Sequence, residues 1–449
     1  MAASSLADLS SHIAGTLVRP GDDDYDAARA VWNGMIDKRP AGIVRCGSTA
    51  DVVAVVNFAR DHGFVVAIRG GGHNAAGNAI CDDGLVIDLS DMRAVTVDPD
   101  ARTARAQGGA TWSDFDQATG AHGLASTGGA ISTTGVAGLT LGGGLGWLMR
   151  SYGMACDNLR SVEIVTADGS VRRASTTEHP DLFWALHGGG GNFGVVTEFE
   201  FQLHPVETVL AGMLVHPAER ASEALHFLAE FHQTAPDELA VFTALMTSPD
   251  GMPIVAFLCC YNGPVAEGEE ALAPLRAFGP PVADLIEPMP YAAWQTALDA
   301  GFPHGMQVYW RSDFITELSD AAIQTLVEQY GKITSPQSAL LLEEFGGAVR
   351  RVGAEETAFV SRHADFNLAI IGIWPDPSES ERHIAWARGV HAAMKPYTHG
   401  TYVNYLGEEG QDRVRAAYGD AVYNRLVAVK NAYDPKNLFH VNQNIQPTV

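Results

Sequence analysis

The chain has 449 residues, more than one hydrophobic core usually serves, so two regions sharing an interface are expected. Its 46% apolar and 18% charged residues exclude a disordered protein. Its net charge of -24 argues against nucleic acid and anionic membrane surfaces as partners. Cys46, Cys81, Cys156, Cys259 and Cys260 form no CxxC pair and no metal-ligand spacing, and their odd number speaks against a disulfide framework. No basic segment followed by an apolar one opens the chain, and no stretch approaches the roughly 20 apolar residues of a membrane span. A cytoplasmic location is the resulting expectation.

In chain order, TADVVAVVNFARDHG (49–63) predicts a helix with Val52, Val56 and Ala59 on one face, a Ser48/Thr49 cap and Gly63 as its stop. FVVAIRGGGHN follows as a short strand running into a glycine loop, and LVIDLS as another strand. From Val95 to about Pro205 short strands alternate with glycine clusters, and TWSDFDQATGAHG and HPDLFWALHG read as brief helices. Between Val206 and Gly400 the helices ERASEALHFLAEFHQ and SDAAIQTLVEQYGKI alternate with the strands LAVFTALMTS, PIVAFLCCY and FNLAIIGIW. An antiparallel sheet covered on one face by helices accommodates them. The tail reads as a strand at TYVNYLG, a helix near Asp420 to Ala432 and an irregular closing segment.

Three glycine clusters carry the chemistry. Gly70, Gly71 and Gly72 follow a strand, where backbone N–H groups can converge on an anion such as pyrophosphate; an ordinary tight turn is the alternative. His73 beside them is a hydrogen-bonding group or a nucleophile toward an activated flavin methyl group. GVAGLTLGGGLGWLMR lets a planar cofactor lie against backbone, or lets strands pack closely. HGGGGNFGVVTEFEF contains a GxGxxG match at Gly189, Gly191 and Gly194, but a helix precedes it and a strand follows, the reverse of a dinucleotide-binding unit. A nicotinamide-binding domain is therefore rejected there. No HExxH, GxSxG or P-loop is present, and His226, His232, His383 and His391 lie on predicted helices, where core or surface roles are commoner than metal ligation.

In this order, IVRCGSTADVVAVVNFARDHG, VAIRGGGHNAAGN, GLVIDLSDMRAVTVD, the GGG segment before MRSYGMACDN, DLFWALHGGGGNFGVVTEFEF, YVNY and DPKNLFHVNQNIQP resemble the berberine-bridge-enzyme-like FAD-linked oxidases of the vanillyl-alcohol-oxidase superfamily. The bacterial branch with the 6-hydroxynicotine and aclacinomycin-type oxidases is the most similar in layout. The resemblance implies an α+β fold with a bipartite PCMH-type FAD domain over residues 1–205 and 400–449 and a substrate domain over 206–399. It implies FAD joined through its 8α carbon to His73. A second, cysteinyl bond is not expected, because Ile131 occupies that position; Cys156 is given a structural or cofactor-neighbour role. The remaining cofactor-binding positions so implied are Arg69, Gly70, Gly71, Gly72, Asn74, Gly77, Asn78, Gly129, Thr134, Gly135, Gly138, Thr140, Gly142, Gly143, Asn158, Gly194, Val196, Asn404 and Asn442.

Tyr405 matches the family's catalytic tyrosine, with Tyr402 and Asn404 as neighbouring alternatives. Packing against the flavin is its other reading. The acid or amide that plant members place on a substrate-domain strand falls on Ala369, which cannot take a proton. The implied reaction is hydride removal from a small alcohol, amine or sugar-type C–H to the flavin, with O₂ as acceptor and Thr134 small enough to admit it. A dehydrogenase using another acceptor and a non-catalytic flavin-binding protein are the alternatives. Trp294, Tyr309, Trp310 and Trp374 are candidates to stack on a substrate ring, although such residues commonly belong to cores.

Overall fold

The computed structural model describes residues 2–407 and 409–449. The helix of the first β/α unit spans Thr49–His62, with the Ser48 side chain accepting from Asp51 N–H and Gly63 closing it at φ +71°. Val52, Val56 and Ala59 are fully buried on its inner face. It crosses over a sheet in which Gly42–Arg45, Leu85–Asp88 and Val66–Arg69 run parallel, and Thr16–Val18 is added antiparallel at one edge. The RGGGHN loop leaves the end of Val66–Arg69.

An antiparallel sheet of five strands follows, in the order Val95–Asp98, Thr103–Gln107, Val195–Gln202, Leu159–Val165, Val171–Ser175. The helix Trp112–Gly120 begins in a capping box between Thr111 and Asp114. Pro180–Ala185 is helical and Val195–Gln202 extended, so the glycines between them lie in the helix-to-strand order that rules out a dinucleotide-binding unit.

An eight-stranded antiparallel sheet occupies residues 208–374. The helices Ala221–Phe231, Val265–Ala277, Asp320–Tyr330 and Ser380–Met394 bury their apolar stripes on one face. The other face turns toward the glycine-rich segments, packing Phe242, Ala244 and Leu258 against Trp147 and Met149.

The C-terminal segment departs from expectation twice. TYVNYLG is not a strand: after one bridge between His399 and Phe314 the chain tightens into a 3₁₀ turn at Val403–Tyr405. Its backbone is held instead by Ser312, which accepts from the Thr401 hydroxyl through its carbonyl at 2.7 Å and from Tyr402 N–H through its hydroxyl at 3.3 Å. The following helix is longer than the periodicity indicates, Gln411–Tyr433, and is kinked at Gly419, whose φ of +67° interrupts the apolar repeat. Val403, Leu406, Val414, Leu426 and Ile445 then pack into the core of the five-stranded sheet.

Candidate active site

The glycine loops, the inner face of the eight-stranded sheet and the C-terminal turn enclose a cavity of about 290 Å³. It is bordered by Gly70, Gly71, Gly72, His73, Asn74, Asn78, Gly129, Thr134, Gly135, Gly138, Gly194, Val196, Tyr402, Asn404, Tyr405 and Asn442, which the sequence separates by up to several hundred residues. Ile131 and Trp310 also border it. Arg69, Gly77, Thr140, Gly142, Gly143, Cys156 and Asn158 do not. Arg69 is paired with Asp88 beneath the glycine loop. Gly77 turns at φ +71° against Ile36. The Thr140 hydroxyl is buried and has no hydrogen-bond partner among the described residues, while its carbonyl accepts from Gly143 N–H at 3.0 Å. A Cβ on Gly142 would stand 2.0 Å from Asn404 Oδ1, and one on Gly143 2.7 Å from Met154, so both serve close packing. Asn158 donates to the carbonyls of Tyr152 and Met154. Cys156 is fully buried beside Asp157, and burial pushes its thiol far above the ordinary range, which disfavours the nucleophilic thiolate. Of the aromatic candidates, Trp294 packs on Trp147, Trp374 on His383, and Tyr309 between Arg311 and Arg388.

The residues present suit FAD. Gly71 and Gly135 meet backbone to backbone, where a Cβ on either would lie 2.4 Å from the other's nitrogen. Among the described residues, no acceptor receives the backbone N–H groups of Gly71, Gly72 or His73, which leaves donors for a pyrophosphate. A Cβ on Gly138 or Gly191 would meet nothing within 4 Å and would project into the cavity, so these glycines keep open the volume a planar cofactor needs.

His73 stands on the cavity wall. Its Nε2 is 2.8 Å from Thr133 Oγ1, its ring stacks on Trp32 at 4.8 Å and 16°, and His304 meets it edge-on at 5.7 Å. Burial, then the neighbouring His304, lowers its pKa to about 3, so the imidazole is neutral and keeps a lone pair.

Also on the cavity wall, Glu343 of strand Ala339–Glu344 supplies a carboxylate absent from the sequence expectations. The Tyr405 hydroxyl donates to its Oε1 at 3.0 Å, and Asn367, its register partner on Phe366–Trp374, donates to Oε2 at 2.6 Å. Burial raises Glu343 to about 7 against these two bonds. Burial, then the adjacent carboxylate, holds Tyr405 well above the ordinary phenol value. Tyr402 is also raised by burial; its hydroxyl accepts from Gly144 N–H at 3.0 Å and Asn404 Nδ2 at 2.8 Å. Ala369, where the acid was sought, is buried and pairs with Ser312 and Leu341.

Comparison with known proteins agrees. The family described as "FAD binding domain" matches residues 40–175, and "Berberine and berberine like" matches 401–446. An FAD-linked oxidoreductase of Dictyostelium discoideum is 33% identical over 97% of this chain and 95% of its own. The (R)-6-hydroxynicotine oxidase of Paenarthrobacter nicotinovorans is 32% identical over 97% of each. The crystal structure of 6-hydroxy-D-nicotine oxidase from Arthrobacter nicotinovorans superposes with a TM-score of 0.89 at 31% identity, covering 97% of this chain and 98% of that one. With its glycine loops and C-terminal turn meeting at one cavity, the chain belongs to the berberine-bridge-enzyme-like, PCMH-type FAD-linked oxidoreductases.

Proposed function

We propose that the protein is an FAD-dependent oxidase of a small, flat organic alcohol or amine, with His73 as the covalent anchor of the flavin and Glu343, through Tyr405, as the proton acceptor. FAD, when bound, supplies the hydride acceptor and passes the electrons to O₂, giving H₂O₂. The observation that carries the reading is the Tyr405–Glu343 hydrogen bond on the wall of the cavity that His73 and the glycine loops also border.

Tyr405 alone is a poor base, because its phenolate is disfavoured by burial and by the charge beside it. Glu343, raised to about 7, is the group in this pair matched to neutral pH. A substrate O–H or N–H that donates to the Tyr405 oxygen displaces the phenolic proton onto Glu343, so the phenol relays and the carboxylate keeps the charge. Tyr402 and Asn404 fix the turn that carries Tyr405. Trp32, Phe302, Trp310, Leu341 and Ile371 form the neighbouring wall, with Trp310 edge-on to Tyr405 at 5.1 Å and to Trp32 at 5.5 Å. That wall offers faces and few polar partners, which supports a flat substrate over a polyhydroxylated one.

The test is an anaerobic screen of alcohols, amines and sugars read by bleaching of flavin absorbance, followed by peroxide assay in air. Bleaching by a flat alcohol or amine with stoichiometric peroxide is expected. Bleaching without peroxide would replace the oxidase reading by a dehydrogenase, and no bleaching by any class would contradict catalysis.

A further inference from the structure

His73 is held by three segments distant in sequence. Trp32, 1% exposed, covers one face of the imidazole and is itself fixed by three bonds: its N–H to Gly72 O at 3.2 Å, its indole N–H to Phe302 O at 2.9 Å, and its carbonyl from Gly305 N–H at 3.0 Å. Thr133 stands at Nε2, and the residue before it is clamped to the substrate-side loop, since Asp299 accepts from Ser132 N–H at 2.8 Å and Ser132 Oγ at 2.6 Å. The same loop brings His304 to the imidazole edge.

We infer that Thr133 and Trp32 are positioning residues for attachment of the flavin to His73, Thr133 by holding the Nε2 proton so that Nδ1 carries the attacking lone pair, and Trp32 by fixing the plane of the ring. The inference rests on the proposal that His73 is the covalent anchor. In the step, the Nδ1–C8α bond forms and one C8α–H bond breaks. Its proton leaves, its electron pair passes into the flavin ring system, and the Nε2 proton departs through the Thr133 hydroxyl. O₂ then takes up the two electrons with two protons as H₂O₂, so the oxidised flavin is restored on the protein. A ring free to rotate about its side-chain torsions would present either nitrogen at random angles, and attachment would be slow for want of orientation.

The test compares wild type, Thr133→Val, Thr133→Ser and Trp32→Phe, each purified with its flavin, by the fraction of flavin that stays with the polypeptide after acid precipitation and by the amount released. Thr133→Val keeps the side-chain shape and loses the hydroxyl, so its covalent fraction should fall by about tenfold or more while acid-released FAD rises to match. Thr133→Ser should restore attachment, which a purely structural role for the methyl group would not allow, and Trp32→Phe should fall between. Full attachment in Thr133→Val would overturn the inference. If that variant binds no FAD, the flavinylated peptide of wild type decides: a bond at Nδ1 upholds the inference and a bond at Nε2 overturns it. Absence of covalent flavin from wild type itself would instead strike the anchor assignment, a different outcome from attachment that ignores Thr133.

Discussion

Glu343 and Glu344 are adjacent acids on one strand, and the two-residue period sends them to opposite faces. Glu344 turns away from the cavity to pair with Arg150 at 2.7 Å and to accept from Val241 N–H at 3.1 Å, while Glu343 meets Tyr405 and Asn367. Which of the two faces the cavity is decided by register against Phe366–Trp374, a long-range pairing that LLLEEFG does not encode locally. The position that the family pattern assigns to the acid falls on Ala369, whereas the carboxylate at the cavity lies on the neighbouring strand. That His73 and Tyr405 border one cavity was legible because glycine loop and tyrosine motif are each contiguous in sequence. For Tyr405→Phe, the ring and its edge-on contact with Trp310 remain and the relay is lost, so the rate of flavin reduction should fall by about 10²-fold or more. Anaerobic stopped-flow traces with a substrate from the screen measure this; a near wild-type rate would remove Tyr405 from the proton path and leave Glu343 to act directly.

Among the elements, those with strong local signals formed as expected: the capped helix Thr49–His62, the capping-box helix Trp112–Gly120 and the apolar strands of the eight-stranded sheet. TYVNYLG failed because its aromatic, β-branched composition favours a strand, whereas its tertiary bonds to Ser312 and Gly144 impose a turn. A second feature invisible to periodicity is the contact between helix Trp112–Gly120 and the short helix Tyr291–Trp294. There Gln295 Nε2 donates to Asp116 Oδ2 at 2.9 Å and to Gly129 O at 3.1 Å, while Asp116 Oδ1, Gln295 Oε1 and the Tyr291 hydroxyl have no partner among the described residues. Burial raises Asp116 to about 7. A carboxyl raised on folding adds stability that is complete below its unfolded value near 4 and is lost as pH rises through about 7. Asp116→Asn removes the charge and offers an N–H to Gln295 Oε1, so it should stabilise the protein by about 1 kcal/mol or more at pH 8. Thermal melts at pH 5 and pH 8 check this. The gain should be smaller at pH 5, and an equal or larger gain there would contradict the assignment.

Across the whole molecule the site exists only when the chain returns on itself. Val403, Leu406, Val414, Leu426 and Ile445 of the C-terminal segment complete the core of the five-stranded sheet, and the same segment carries Tyr402, Asn404, Tyr405 and Asn442 to a cavity that the sheet of residues 208–374 also borders. Arg413 reaches back to Asp313, as does His391 of the helix Ser380–Met394, which ties that tail to the eight-stranded sheet. Motif order made this architecture legible as a family resemblance, and composition alone did not. The proposed role of the buried Glu343 carboxylate as acceptor of the substrate proton is tested most directly by the pH dependence of anaerobic flavin reduction in wild type and Glu343→Gln. A base must be deprotonated to act, so with Glu343 raised to about 7 the wild-type rate should be low in acid and rise through a limb near that pH. In Glu343→Gln the limb should vanish and the plateau fall by about 10²- to 10⁴-fold. A variant that keeps both the limb and the plateau would contradict the account.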